Sequence, residues 1–307
     1  MTSIVLPTRT WGDCCDQLAR QLTDDDELIV VCDDDEDPVR RSAAATAATN
    51  VSVVAAGDPS QCSGKANAVA AGIEHASSER IVCTDDDFER SAEWLRCVES
   101  HLEHDEAVTT YPKFLSDGLN VWTCFEPALH AAIVVQAARG TYSWGGLFAF
   151  DRSTTDTEAL VSDLRRTVSD SAAFERHFDS ITVATDLSPE VPIGGELSVL
   201  CSRIQRFLRR FVLFSPGAAA VVTAASATYA AFLAALPAVV VPTTLLGFAA
   251  FYVRERLRRL SFLCAPLALV LIAPLVAIAW RKKDFEWGGR RYVWNDKFDV
   301  TIRGDSS

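Results

Sequence analysis

The sequence predicts an α/β domain built on a mainly parallel sheet, followed by transmembrane helices in its C-terminal part. Three observations carry that expectation. Over residues 1–110, short apolar runs alternate with segments of helical spacing, the pattern of a sheet covered by helices on both faces. Residues 211–253 contain no charged side chain, a run long enough for two helices that each need roughly 20 residues to cross a bilayer. The charge is also unevenly divided. Residues 1–202 carry 35 acidic against 14 basic side chains, and residues 203–307 carry 6 against 15, within a net charge of −12. Such a split places the two parts in different surroundings.

The strands of the front part are expected at "SIVLP" (3–7), "ELIVVC" (27–32), "VSVVAA" (51–56), "RIVCT" (80–84) and "AVTTY" (107–111). Each is a brief β-branched or apolar run bounded by polar residues. Helices are expected between them at 13–22, 38–49, 64–76 and 91–102, where apolar residues recur at helical intervals. Further on, "NVWTCFEPALHAAIVVQAAR" (120–139) reads as a helix, and "SWGGLFAFDR" (143–152) as a glycine turn feeding a strand. Residues 156–166 and 169–178 read as two more helices and 181–186 as a strand.

The division expected is a catalytic domain at 1–202, a basic juxtamembrane segment at 203–210, a membrane region of two or three helices at 211–280, and a basic tail at 281–307. The charge-free run folds near Pro237, and residues 260–280 add a second apolar stretch interrupted by Pro266 and Pro274. Basic clusters flank these runs at 206–210, 254–259 and 281–283. Positive clusters favour the cytoplasmic side, so a third full crossing conflicts with a basic tail.

The acidic front excludes nucleic acid as its partner, because phosphate repels it. Abundant Asp and Ala, with only five Lys among 29 basic residues, give a halophile-type composition. The nine cysteines show no C-x-x-C pair and no zinc spacing. Cys32, Cys83 and Cys264 lie in apolar runs and read as small core residues. The opening "MTSIVLPTRTW" lacks a basic segment followed by an apolar stretch, so no signal peptide is expected.

Triple aspartate occurs at 24–26, 33–35 and 85–87. The first precedes a strand and reads as a solvated loop. The other two follow buried strands, at the edge where open α/β sheets bind ligands. Alternate residues of an extended chain face the same way, so Asp85 and Asp87 point together while Asp86 points away. Two such carboxylates suit a hard divalent cation, Mg²⁺ or Mn²⁺. The cation would let a diphosphate approach and would stabilise its charge on leaving. The competing reading is acidic surface and nothing more.

The order strand, Asp cluster, "GKANAVAAG", strand, D-x-D resembles family-2 glycosyltransferases, whose fold is of the GT-A nucleotide-sugar-binding type. "DDDEDP" (33–38) is similar to the D-x-x-D-P of the ceramide glucosyltransferase-like branch. The resemblance implies that Asp33 or Asp34 contacts the nucleotide and that Lys65 lies near the phosphates. It implies that Trp144, beside Gly145 and Gly146, belongs to the acceptor-side turn and stacks on a sugar or lipid neck. The two glycines are expected to serve tight backbone turns. The family's catalytic Asp falls by spacing on Ser171, which leaves the neighbouring Asp170 as the expected base. "RIQRF" (203–207) resembles the (Q/R)-x-x-R-W signature, with Arg203, Gln205 and Arg206 as substrate-binding residues and Phe207 in place of Trp. "FEWGGRRY" (285–292) is similar to a W-x-G-x-x-Y tail that stays on the catalytic side, which favours an even number of spans.

These readings converge on an inverting, metal-dependent hexosyltransferase. It would move a sugar from a nucleotide-diphosphate donor to a membrane lipid or lipid phosphate, as a multi-pass cell-membrane protein with a cytoplasmic catalytic domain. The alternatives are a processive polysaccharide synthase-like enzyme, for which two or three spans are few, and an inactive nucleotide-binding membrane scaffold.

Overall fold

The structure, a computed structural model, describes residues 1–43, 50–116, 120–139, 142–193 and 197–303. The elements run β1 (Thr2–Pro7), α1 (Asp13–Ala19), β2 (Glu27–Cys32), α2 (Pro38–Ala43), β3 (Val51–Ala55), α3 (Gly64–His75), β4 (Arg80–Thr84), α4 (Trp94–Leu102), β5 (Ala107–Thr109) and β6 (Lys113–Ser116). They continue with α5 (Glu126–Ala137), β7 (Leu147–Asp151), α6 (Thr157–Leu164), α7 (Asp170–His177), β8 (Thr182–Val183), β9 (Glu190–Ile193) and α8 (Leu197–Phe214). The last are α9 (Pro216–Ala235), α10 (Pro237–Arg254), α11 (Ala265–Arg281), β10 (Asp284–Trp287), β11 (Arg290–Asp296) and β12 (Asp299–Arg303). The helix expected over 38–49 runs into 44–49, which lie outside the described residues.

Two compact units result. The first gathers Met1–Pro112, Gln136–Val191 and Phe298–Ile302; the second gathers Lys113–Val135, Pro192–Lys297 and Arg303–Ser307. The division thus differs from a single boundary at 202, because 113–135 joins the C-terminal helices.

In the first unit a seven-stranded sheet has the order β3-β2-β1-β4-β7-β5-β8. Strands β1 to β4 pair in parallel, and β7 runs antiparallel to both β4 and β5. This is the mainly parallel arrangement expected. Its strands read as unbroken apolar runs because both faces are covered. Val5, Ile29 and Val31 pack with α3 and with Phe148, Phe150 and Phe174 on one face. Ile4, Leu6, Leu28 and Val30 pack with α4 on the other. Gly72 of α3 lets the helix sit against β1, since an added Cβ would collide with Val5. After β3 the chain returns past β1 to form β4, a reversal of the kind beside which open α/β sheets bind ligands.

The second unit holds three helical stretches long and apolar enough to cross a membrane: Pro216–Ala235, Pro237–Arg254 and Ser261–Arg281. Apolar side chains such as Leu246 (71% exposed) and Val221 (69%) stand on their outer faces, as lipid-facing residues would. Pro266 sits in the first turn of α11, where its missing N–H is harmless, and Pro274 lies inside an uninterrupted helix. The juxtamembrane basic residues belong to one continuous helix, α8, rather than to a separate segment. Residues 120–139 do not form a single helix. Asn120 caps a 3-10 turn over Val121–Cys124, and α5 starts only at Glu126.

Candidate active site

Lys65, Asp85 and Asp170 meet at the carboxyl ends of β1 and β4. The Lys65 ammonium lies 2.5 Å from an Asp85 oxygen and 2.9 Å from an Asp170 oxygen, and it donates to the Gly145 carbonyl at 3.2 Å. Local structure explains the meeting. Lys65 is in the first turn of α3, whose N-cap Ser63 accepts from the Ala66 N–H and donates to the Val168 carbonyl. The Ser63 N–H also donates to the Thr167 carbonyl. These bonds tie the start of α3 to the loop that delivers Asp170 as the first residue of α7.

Asp170 is the residue aimed at Lys65, and Ser171 has another task. Its hydroxyl accepts from the Gly145 N–H at 2.9 Å, and its own N–H donates to Asp170 at 2.8 Å. Gly145 packs so closely on the Asp170 carboxylate that an added Cβ would come well under 3.0 Å from it. Gly146 is covered by the Trp144 ring in the same way. Neither glycine has the left-handed backbone found at Gly57, Gly288 and Gly289. The expectation of backbone freedom is therefore corrected: these glycines are needed for space. Trp144 lies 5.5 Å, centroid to centroid, from Phe88.

The loop after β4 is anchored from behind. Thr84 donates its hydroxyl, and Asp85 its N–H, to the Gly146 carbonyl. Arg90, which the sequence reading passed over, is buried behind them. It donates to the Thr84 hydroxyl at 2.7 Å, to the Phe88 carbonyl at 3.1 Å and to the Asp85 carbonyl. Its guanidinium also lies 4.0 Å from the Phe88 ring centroid.

Lys65 faces two carboxylates, and a third, Asp87, acts on Asp85. Burial pushes the Asp85 carboxyl up to about 7; Lys65 opposes the rise, while Asp87 and Asp170 add to it. Burial alone would depress Lys65, yet Asp170 and Asp85 together hold it above its ordinary value. Among the described residues no three His, Cys, Asp or Glu side chains form a ready-made metal cage. Still, the donor set fits a divalent cation: Asp85 and Asp87 are hard oxygen donors close enough to repel each other. A second positive charge would relieve the repulsion that Lys65 leaves.

Asp33 forms an ion pair with Arg9, a partner the sequence reading did not name. Asp37 accepts from the Asp33 N–H at 2.8 Å and the Asp34 N–H at 3.3 Å. Asp34 is exposed and accepts from the Glu36 N–H, so Asp37 shapes the loop. In the second unit, Arg203, Gln205, Arg206 and Phe207 lie on α8. Gln205 is buried and donates to the Lys282 carbonyl at 2.5 Å. Arg206 covers the Trp287 ring at 3.8 Å, and Phe207 lies 6.5 Å from Phe114.

Residues 9–132 match the family model Glycosyl transferase family 2. Glucosyl-3-phosphoglycerate synthase from Mycobacterium tuberculosis is 17% identical, with a TM-score of 0.47 over 69% of this chain and 79% of that one. The same synthase in complex with Mn²⁺ and uridine-diphosphate-glucose gives 16%, 0.46, 69% and 78%. A mycobacterial protein gives 17%, 0.46, 69% and 74%. No curated protein matches the chain.

Proposed function

We propose that the protein is an inverting, membrane-bound hexosyltransferase, a reading supported by the match of residues 9–132 to the Glycosyl transferase family 2 model. It takes a nucleotide-diphosphate sugar as donor and a lipid or lipid phosphate as acceptor. The observation that carries this reading is Lys65 held between Asp85 and Asp170, with Asp87 beside Asp85, at the sheet's ligand-binding edge. Asp33 or Asp34 at the end of β2 contacts the nucleoside. Lys65 meets the diphosphate, and its departure from Asp170 leaves that carboxylate ionised and free to take the proton of an acceptor hydroxyl. The hydroxyl oxygen bonds to the anomeric carbon as the carbon–diphosphate bond breaks on the opposite side, which inverts the centre. A phosphate acceptor is already a nucleophile and needs less of Asp170. Asp85 and Asp87 would hold Mg²⁺ or Mn²⁺, which supplies charge for the departing diphosphate.

The long apolar helices support a lipid acceptor and a multi-pass membrane setting. The basic residues of α8 and of the α10–α11 connection support a cytoplasmic catalytic domain. The test is transfer from a panel of uridine- and guanosine-diphosphate sugars to lipid vesicles, with and without EDTA, for the parent and Asp87→Ala. Metal-dependent transfer is expected, and Asp87→Ala should lower it by about 100-fold while leaving the unfolding temperature unchanged. Parental rates in EDTA or in Asp87→Ala would remove the cation. Nucleotide binding without turnover on any donor would point to the scaffold reading.

A further inference from the structure

The connection between α10 and α11 carries a basic loop whose side chains divide by alternation. Arg254, Arg256 and Arg258 are exposed, whereas Glu255, Leu257 and Arg259 are half-buried. The inward half is anchored within the second unit. Arg259 donates to the Glu126 carboxylate at 3.1 Å and to the Phe114 carbonyl at 2.5 Å, and Glu126 is wholly buried. The Leu257 N–H donates to the Tyr252 carbonyl at 2.9 Å, and the Tyr252 and Ser261 hydroxyls, 3.1 Å apart, close the loop at its neck. Arg256 is, among the described residues, the one non-glycine residue on a left-handed backbone, with φ of +58°. Glycine takes that conformation without strain, and a side chain takes it only against a steric cost. Apolar side chains flank the arginines: Val253 is 80% exposed and Leu260 72%. Glu255 pairs with Arg254 and Glu126 with Arg259, which leaves the charges of Arg256 and Arg258 in excess within the loop.

We propose that this loop binds the headgroups of anionic phospholipids: Arg256 and Arg258 hold the phosphate while Val253 and Leu260 sit among the first carbons of the acyl chains. Exposed cations beside exposed apolar side chains suit the headgroup level of a bilayer, where hydrocarbon and charge are both accommodated. Guanidinium grips phosphate through paired N–H donors, and basic side chains near an anionic surface add affinity. Arginine on a backbone that favours glycine is what a functional demand on that side chain leaves behind. The inference rests on the membrane reading of the apolar helices and not on the transfer reaction.

The experiment supplies the full-length chain in detergent with equal amounts of phosphatidylglycerol and phosphatidylcholine, and reads bound lipid by native mass spectrometry. The parent should favour phosphatidylglycerol by about 5-fold or more, the worth of one or more basic side chains at an anionic surface. Arg256→Gly combined with Arg258→Gln should bring the ratio close to one. The glycine also relieves the left-handed backbone, so the unfolding temperature should hold or rise, which separates a lost site from a lost fold. Lys282→Gln combined with Lys283→Gln removes two exposed charges elsewhere in the unit and should keep most of the preference. An equal fall in the two variants would overturn the proposal, because the attraction would then belong to the unit's total charge. A parent without preference would overturn it as well. A parent that alkaline carbonate strips from phospholipid vesicles is a different result: it removes the membrane reading itself and this inference with it.

Discussion

Gly145 shows how a single hydrogen atom can hold the geometry of the carboxylate proposed as the base. Its Cα hydrogen faces the Asp170 carboxylate, which cannot retreat easily. Asp170 is 7% exposed, bonded by the Ser171 N–H and paired with Lys65. Gly145→Ala would drive the carboxylate away from Lys65 without touching the sheet. Transfer to a hydroxyl acceptor should fall by about 100-fold, the lower range for loss of a positioned general base, while donor KM and the unfolding temperature stay near parental values. A full rate in Gly145→Ala would show that Asp170 does not act where the structure puts it. The sequence made Asp85, Lys65 and Asp170 legible because each sits at the end of a strand or the start of a helix, where short-range patterns operate. Arg90 and Arg9 were not legible. Their partners are backbone carbonyls and a carboxylate that only the folded loops bring near, and nothing in an isolated arginine signals such a task.

Helix α5 carries a histidine that works as an internal clamp. The His130 ring accepts the Phe114 N–H at Nε2, at 3.1 Å, which places its proton on Nδ1. The ring also stacks on Phe114, with planes 6° apart. Burial lowers its pKa to about 4, with the Arg259 and Lys113 charges adding to the effect. The sign follows from linkage: the unfolded chain binds this proton more tightly than the folded one. Stability is complete above the ordinary value near 6.5 and is lost as pH falls from there towards 4. The loss at the low end should approach about 3 kcal/mol. His130→Gln keeps an acceptor for Phe114 and does not titrate, so thermal unfolding in detergent should diverge from the parent across that window. Parallel profiles from pH 7 to 4 would refute the clamp. The same region shows what element-level patterns omit. A helical period over 120–139 says nothing of the Asn120 cap that starts a separate 3-10 turn. Apolar content marked β7 as a strand but not its reversed direction, because a central strand looks alike read either way. The tail hairpin went unrecognised because its signal is two glycines between short, charged runs.

At the scale of the whole molecule the open question from the sequence was where a basic tail lies after three apolar stretches. The packing of α9 with α11 bears on it directly. Ala219, near the start of α9, is buried with Val276 and Ala279, near the end of α11. One to two turns further along α9, the Ser226 hydroxyl donates to the Leu269 carbonyl at 2.6 Å and accepts the Ala273 N–H at 3.0 Å. As α9 advances, its partner runs backwards, so the two helices are antiparallel and the end of α11 returns beside the start of α9. Three successive full crossings would make the first and third helices run in the same direction. We therefore propose that α10, folded back at Leu236 and joined to α9 by the Tyr229–Thr244 hydroxyl contact, crosses only part of the bilayer. The charge pattern supports this proposal: α8 and the tail are both basic, and positive clusters favour one side. The check uses Cys201, exposed on α8, and a cysteine introduced as Lys283→Cys, each as the sole thiol of the chain. In sealed vesicles of either orientation, an impermeant maleimide should label both or neither. Opposite labelling would restore a third crossing.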